Sequence, residues 1–272
     1  MSNFYGLIGE KLGHSISPEI HELILRKINI EGVYNLFEIK AEDLKTAVKG
    51  LKALGAKGVN VTIPYKIQVM DFLDTVSREA EKIGAVNTIS FKSGTLSGHN
   101  TDYHGFGATL KKAQVDICDK KAVILGTGGA SRAVIHYLMD NGIKELIFVS
   151  RNPEETLKNI KDFKVISYND LDKLNDGDII INCTPCGMYP KADNSPVSKG
   201  VLSKFSSAVD LIYNPEETLF LKEAKGLGLK TVNGLYMLVA QAVAAQEIWQ
   251  GIKICDESIE EIYEEIRDRF AK

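Results

Sequence analysis

Cysteine is scarce in this chain: four in 272 residues, too few for a disulfide framework, so a reducing cytoplasm is expected. Cys183 and Cys186 form one C-x-x-C, but no second pair at a matching spacing completes a structural zinc site. The five histidines are scattered, and no metal is expected. A basic excess is also missing. Net charge is −3, which speaks against nucleic acid as a partner. The longest apolar runs, such as Ala122–Leu125 and Ile179–Ile181, fall far short of the roughly 20 residues that cross a bilayer. Met1 to Gly6 lack the charged start and apolar core of an export signal. There is no internal repeat, no low-complexity tract and no Pro/Gly/Ser-rich linker. What remains is 44% apolar and 25% charged, an ordinary globular composition, long enough for two domains.

Strand-like and helix-like segments alternate along the first hundred residues. Phe4–Gly9, Tyr34–Ile39 and Gly58–Ile63 read as strands, and Pro18–Ile28 and Glu42–Leu54 as helices, the first with Ile20, Leu23, Ile24 and Ile28 on one face. Ser77–Gly84 reads as a helix, followed by strands Asn87–Phe91 and Thr95–His99 around the turn Lys92-Ser93-Gly94. Strands separated by helices indicate a largely parallel sheet. A second unit starts near Asp102. In it Lys121–Leu125 is a short, fully apolar strand, a helix runs to about Asn141-Gly142, and Leu146–Ser150 is the next strand, which makes a βαβ unit. Strands at Asp178–Asn182, Ala208–Ile212 and Lys230–Val232 and a helix at Pro215–Leu227 follow. Leu235–Trp249 and Ser258–Phe270 are the last helices, the latter with a stripe of Ile259, Ile262, Ile266 and Phe270.

Between strand and helix of the βαβ unit stands Gly126-Thr127-Gly128-Gly129-Ala130-Ser131-Arg132. Gly126 permits a tight turn and Gly128 a close approach of backbone to a pyrophosphate, while the helix start offers unpaired N–H groups and a positive dipole end. The third glycine of the usual G-x-G-x-x-G is replaced by Ser131. After the second strand the chain reads Ser150-Arg151-Asn152, with no carboxylate until Glu154. A site for NAD usually places Asp or Glu there. Arg151 suits a 2′-phosphate instead, so NADP is expected, with Arg132 as a further candidate phosphate contact.

The other candidate site begins at Val59-Asn60-Val61-Thr62-Ile63-Pro64-Tyr65-Lys66. Its alternation predicts a strand with one buried face. Pro64 cannot donate to a ladder and ends it, leaving Lys66 just past the carboxyl edge, where open α/β sheets place ligands. Upstream, Pro18 suits the first helical position and makes Ser17 the expected N-cap; Ser15 and Ser17 point the same way, a pair of hydroxyls suited to a carboxylate. Asp102 lies where the first unit hands over to the second, a place from which a carboxylate faces both a substrate and a nicotinamide. Asn87 adds an amide at a strand start. Gln241 lies in an apolar helix stretch and needs partners if buried. His99 and His104 read as structural.

Eight stretches in order, His14–Pro18, Asn60–Lys66, Ala85–Thr88, Asn100–Asp102, Gly126–Arg132, Asn182–Met188, Asp210–Pro215 and Gly234–Gln241, make the chain similar to the NADP-dependent shikimate dehydrogenases over essentially its full length. The resemblance implies an α/β protein of two domains. An N-terminal α/β substrate domain would span 1–101, with C-terminal helices 236–272 packing back on it, and a Rossmann-like doubly wound NADP-binding domain would span 102–235. It implies reversible reduction of 3-dehydroshikimate to shikimate with NADPH, in aromatic amino acid biosynthesis. Lys66 and Asp102 would be the catalytic pair. Ser15, Ser17 and Tyr213 would hold the substrate carboxylate, and Asn60, Thr62, Asn87, Asp102 and Gln241 the ring hydroxyls. Gly126, Gly128, Gly129 and Ala130 would cradle the pyrophosphate, Ser150 and Arg151 would flank the 2′-phosphate, and Thr184, Met188 and Gly234 would lie along the nicotinamide half. Glu22 and Asn233 depart from the family pattern, at positions that bear on substrate affinity and closure.

Two other readings use the same fold: a quinate/shikimate dehydrogenase of dual specificity, and a non-catalytic NADP-binding sensor. A short-chain dehydrogenase is disfavoured, since no Tyr-x-x-x-Lys occurs. The expected partner is a small-molecule substrate, with no nucleic acid and no membrane. A second copy of the chain, as a homodimer, is the protein partner left open.

Overall fold

The computed structural model describes residues 3–92, 94–159 and 163–270, and of residues 158, 159 and 270 the backbone alone. Ser93 of the expected turn and the Phe270 side chain of the expected stripe therefore lie outside the described residues. The chain divides into two compact units, Met1–Gly105 with Val239–Lys272, and Phe106–Leu238.

The first unit holds strands β1 (Asn3–Gly9), β2 (Gly32–Glu38), β3 (Gly58–Val61), β4 (Thr75–Val76), β5 (Thr88–Lys92) and β6 (Thr95–His99), in the order β2-β1-β3-β5-β6-β4. The sheet is mixed rather than largely parallel: β1 pairs in parallel with β2 and β3, but β5 runs antiparallel to both β3 and β6. The cause lies in the connections. Parallel neighbours need a crossover, and α1 (Ser17–Lys27) and α2 (Leu44–Ala53) supply it early in the unit, whereas β5 and β6 follow each other too closely in sequence for anything but a hairpin. A short helix α3 (Arg78–Ile83) precedes that hairpin, with Ser77 Oγ accepting from Ala80 N as its cap and Gly84 in the left-handed region as its stop.

β3 does not have one polar face. Val59 and Val61 sit in an apolar cluster with Ile8, Val48 and Ile89, yet Asn60 on the opposite face is also only 5% exposed. Alternation alone suggests a solvated face at Asn60, but β3 is an interior strand whose polar side chain is roofed by the rest of the unit. Ile63, expected to continue the buried stripe, is exposed beyond the strand end. The roof includes Tyr5, Leu7, Leu25, Tyr34 and Trp249. Trp249 Nε1 donates to Ile89 O at 2.9 Å, and a Cβ at Gly58 would meet Trp249 Nε1 at 2.0 Å, so the indole occupies the space a side chain there would need.

The second unit begins within α4 (Thr101–Lys112) and holds β7 (Lys121–Leu125), α5 (Gly129–Asp140), β8 (Glu145–Ser150), α6 (Pro153–Asn159), β9 (Lys164–Ser167), β10 (Ile179–Asn182), α7 (Lys199–Leu202), β11 (Ser207–Asp210), α8 (Leu219–Gly226) and β12 (Lys230–Val232). Its sheet is parallel throughout, in the order β12-β11-β10-β7-β8-β9. Alternate residues of β7 feed two apolar clusters, Ala122 and Ile124 one, Val123 and Leu125 the other. Both faces are therefore covered, as a parallel sheet requires. The helix expected from Pro215 starts only at Leu219, because Thr218 is its cap and accepts from Leu221 N. Helices α4, α6 and α7 are additions to the sequence reading. α4 carries Gly105 and Gly107 and has no clean apolar period; Gly107 faces the Tyr137 ring. Two more helices, α9 (Leu235–Gln250) and α10 (Asp256–Phe270), complete the chain, and the division between units falls inside α4 and α9. Among the described residues no helix is long and apolar enough to cross a membrane.

Candidate active site

In the first unit, β3 ends at Val61 and the chain turns at once, so that Tyr65 is buried and pinned by its hydroxyl to Ile39 O at 2.7 Å. That pin fixes the backbone of the next residue, Lys66. Lys66 Nζ reaches Asp102 Oδ2 at 2.6 Å, with the two side chains 15% and 12% exposed. Asp102 stands in the first turn of α4, where the helix dipole favours a negative charge.

Asn87 holds the other carboxylate oxygen: Nδ2 donates to Asp102 Oδ1 at 2.8 Å and to Thr101 Oγ1 at 3.0 Å. Asn87 Oδ1 accepts from Thr101 N at 2.7 Å and from Thr88 Oγ1 at 3.0 Å. The Asn60 amide donates to Asn87 O at 3.2 Å and to Thr88 Oγ1 at 2.9 Å, and its Oδ1 accepts from the Tyr34 hydroxyl at 2.8 Å. Both amide N–H groups of Asn60, and both of Asn87, are thus spent on the protein. Toward a ligand these residues offer acceptor oxygen, and their larger part is to fix Asp102. Thr62, half-buried, stands one residue past the strand.

The serines differ from expectation in one respect. The N-cap of α1 is Ile16, without a side-chain cap, and Ser17 is the first helical residue. Pro18 sits one position further into the helix than the sequence pattern predicts, because the chain enters through a turn closed by Ser15 N on Leu12 O. Ser17 is thereby released from capping. Ser15 Oγ donates to Ser17 Oγ at 3.1 Å, and both serines are half-buried, so the hydroxyls do converge. Gln241 is half-buried, with Thr101 Oγ1 at 3.5 Å from its Oε1. The fully buried glutamine of α9 is Gln246, which sequence reasoning passes over. It lies one turn beyond Ala242, on the inner face of a helix that is apolar nearly all round, so periodicity does not mark it. Sequence reasoning also misses Thr88, Thr101, Tyr34 and His21. The two threonines adjoin named candidates, and that adjacency is the signal for them.

In the second unit, Gly126 follows β7 with φ +90°, a conformation open to glycine, and a Cβ there would meet Thr184 Cγ2 at 2.7 Å. The glycine loop thus packs on the loop after β10. These are the two strands between which the sheet order reverses, the place where doubly wound sheets bind ligands. Gly128 is the N-cap of α5 and gives no side-chain cap, and a Cβ at Gly128 or Gly129 would meet nothing within 4 Å. No side chain or backbone therefore crowds Gly128 and Gly129 at the start of α5, which fits a dinucleotide pyrophosphate at that helix end. Ala130 is half-buried in the first turn of that helix. Ser150 Oγ is taken up by Thr156 Oγ1 at 2.8 Å and Asn152 N at 3.1 Å, whereas Arg151 and Arg132 are exposed.

Thr184 is tied by N and Oγ1 to Asn182 Oδ1, at 3.0 and 2.6 Å. Asn182 Nδ2 donates in turn to buried Asp210 at 3.0 Å, which also accepts from Thr218 Oγ1 at 2.7 Å and Ile212 N at 3.1 Å. Burial pushes the Asp210 carboxyl up to about 6, against those hydrogen bonds. Met188 is 47% exposed. Tyr213 belongs to this unit, half-buried past β11, with its phenol raised by burial. Gly234 N donates to Ile212 O, and a Cβ at Gly234 would lie 2.1 Å from Leu211 O, so the backbone there tolerates glycine alone. Asn233 Oδ1 accepts from Leu235 N and its amide donates to Glu216 O; Glu22 is exposed.

A doubly wound unit with an open glycine loop at its switch point, joined in one chain to a unit bearing a lysine–carboxylate pair, defines a class: the dinucleotide-dependent α/β oxidoreductases. Residues 7–89 match the model of the shikimate dehydrogenase substrate binding domain, and residues 109–195 that of the shikimate / quinate 5-dehydrogenases. The chain belongs to the shikimate dehydrogenase family. A shikimate dehydrogenase (NADP(+)) of Clostridium perfringens is 53% identical over 268 residues, 98% of this chain and 99% of the relative. Among solved structures, a chorismate mutase/shikimate 5-dehydrogenase fusion protein from Clostridium acetobutylicum is 55% identical with a TM-score of 0.98, covering 100% of both chains. Shikimate 5-dehydrogenase from Thermus thermophilus, in complex with NADP(H) and shikimate, is 33% identical with a TM-score of 0.87, covering 97% of this chain and 99% of that one.

Proposed function

We propose that this protein reduces 3-dehydroshikimate reversibly to shikimate with NADPH, on the route to the aromatic amino acids. One observation carries the reading: an ammonium and a carboxylate 2.6 Å apart, the carboxylate gripped on its far oxygen by Asn87.

NADPH, when bound, supplies a hydride to the carbonyl carbon of the substrate. The electrons of the C=O bond then pass to oxygen, which becomes an alkoxide and needs both a proton and nearby positive charge. The Lys66 ammonium offers both, giving its proton to that oxygen and regaining it from water. Asp102 orients the ammonium, and in the direction of shikimate oxidation the neutral amine takes the proton back. Ser15 and Ser17 bind the substrate carboxylate with Tyr213; Thr62 and Gln241 bind ring hydroxyls, and the oxygens of Asn60 and Asn87 accept from them. The pyrophosphate rests on Gly126, Gly128, Gly129 and Ala130. The exposed guanidinium of Arg151 takes the 2′-phosphate, with Ser150 shaping the turn that presents it. Thr184, Met188 and Gly234 line the nicotinamide half. A cytoplasmic setting fits four free cysteines.

The test is NADPH absorbance with 3-dehydroshikimate, repeated with NADH and with 3-dehydroquinate. Oxidation of NADPH with the first substrate and at least about tenfold less with the others is expected. Comparable rates with 3-dehydroquinate would give the dual-specificity reading, and no oxidation at all the sensor.

A further inference from the structure

The substrate face of the first unit contains a run of hydrogen bonds whose direction is fixed at every link. Asn87 O is a carbonyl and can only accept, so the Asn60 amide nitrogen must face it, at 3.2 Å. Asn60 Oδ1 then faces Tyr34, and since an amide oxygen only accepts, the Tyr34 hydroxyl donates, at 2.8 Å. Thr88 Oγ1 accepts from Asn60 at 2.9 Å and passes its one proton to Asn87 Oδ1 at 3.0 Å. Thr101 N, a donor alone, establishes which end of Asn87 is oxygen, so Asn87 Nδ2 must be the atom that donates to Asp102 Oδ1 at 2.8 Å.

Burial raises the Tyr34 phenol far above its usual range, with the Ser17 hydroxyl acting the other way. From Tyr34 the donors all point toward Asp102, through Asn60, Thr88 and Asn87, an alignment in which each bond polarises the next. Tyr34 is the first donor of the run. Its ring is held by a stack on His21, with centroids 4.0 Å apart and planes 8° from parallel. His21 is held in turn through Nδ1 by Gln246 at 3.0 Å, and Gln246 by Gln250, which also reaches the Tyr5 hydroxyl.

We propose that Tyr34 is a positioning residue of the substrate site, whose hydroxyl orients Asn60 and, through Thr88 and Asn87, Asp102. This rests on the dehydrogenase reading above. It also gives the residues roofing β3 a role beyond packing: His21 and Gln246 hold the phenol where its proton reaches Asn60.

Tyr34→Phe removes the hydroxyl and keeps the ring on His21. Shikimate oxidation is followed with NADP+ for the native enzyme, for Tyr34→Phe, for Thr88→Val, which cuts the same run two links further on, and for the double variant. KM for shikimate is expected to rise about tenfold in each single variant, with KM for NADP+ within about twofold of native. The double variant should lose little more than the worse single, because one run can be cut only once. A purely structural role would lower the active fraction and move neither KM. A shikimate KM within about twofold of native in a folded single variant overturns the proposal, as do losses that multiply in the double. Absence of turnover in the native enzyme would instead overturn the dehydrogenase reading, and this proposal with it.

Discussion

Lys66 Nζ lies 2.6 Å from Asp102 Oδ2, and both side chains are largely withdrawn from solvent. Asn87 occupies the other carboxylate oxygen, so the carboxylate cannot rotate away without losing two charge-assisted hydrogen bonds. The lysine comes from the turn after β3 and the aspartate from the first turn of α4, 36 residues apart. The sheet holds one, the helix start holds the other, and neither depends on a flexible loop for its place.

Lys66→Met keeps the length of the side chain and removes its charge and proton. Turnover of shikimate should fall by about 10² or more, the scale of general acid–base catalysis, with little change in KM. Steady-state kinetics on the folded variant check this. Turnover near native would show that another group carries the proton.

Arg151→Ala should raise KM for NADPH at least about tenfold, the value of one charge-assisted contact to phosphate, and leave KM for NADH nearly unchanged. The guanidinium is exposed at the end of β8, so its removal should not disturb the fold. Equal effects on the two cofactors would take Arg151 out of the 2′-phosphate site.

The second unit is legible from the chain almost strand by strand, because buried parallel strands are short apolar runs and the glycine loop announces the helix after β7. The proposed catalytic pair is legible as residue types, Lys66 after a strand stopped by Pro64 and Asp102 where the units meet in sequence. The internal partners of the site are not. Asn60 reads as a face residue because alternation reports period and not what lies overhead; the roof comes from His21 and Trp249, 39 residues before it and 189 after. Ser17 reads as a cap from the general preference at that position, whereas the turn at Ser15 moves the cap to Ile16. The mixed sheet, likewise, depends on which strands are neighbours, which the order of elements along the chain does not fix.

Gly58→Ala should destabilise the protein by about 2 kcal/mol or more, as overpacking of a tight core does. The added methyl would meet the Trp249 indole at 2.0 Å, and moving the ring breaks its bond to Ile89 O. Urea denaturation at neutral pH measures it. A change below about 0.5 kcal/mol, the scale of an inconsequential substitution, would mean the indole has room to yield.

His21 gives the protein a pH dependence of definite sign. The ring is wholly buried, and burial lowers its pKa from 6.5 to about 3, with Asn60 opposing in part. The folded protein thus keeps the ring neutral while the unfolded chain protonates it below 6.5. The stability from this group is full above pH 6.5 and is lost as pH falls toward 3. At about pH 5 the loss is roughly 2 kcal/mol, from the linkage of about 1.4 kcal/mol per pH unit below the unfolded value. Asp210 works in the opposite sense. Its carboxyl is raised from 3.8 to about 6, so the folded state binds that proton more readily and gains stability as pH falls between those values. The whole protein shows the difference of the two, and a variant separates them. His21→Gln removes the titrating ring and leaves Asp210 in place. It should be less stable than native at about pH 7, yet lose about 2 kcal/mol less between there and about pH 5 by urea denaturation. Parallel curves for the two proteins over that interval would mean that His21 is charged, or already accessible to water, in the folded state.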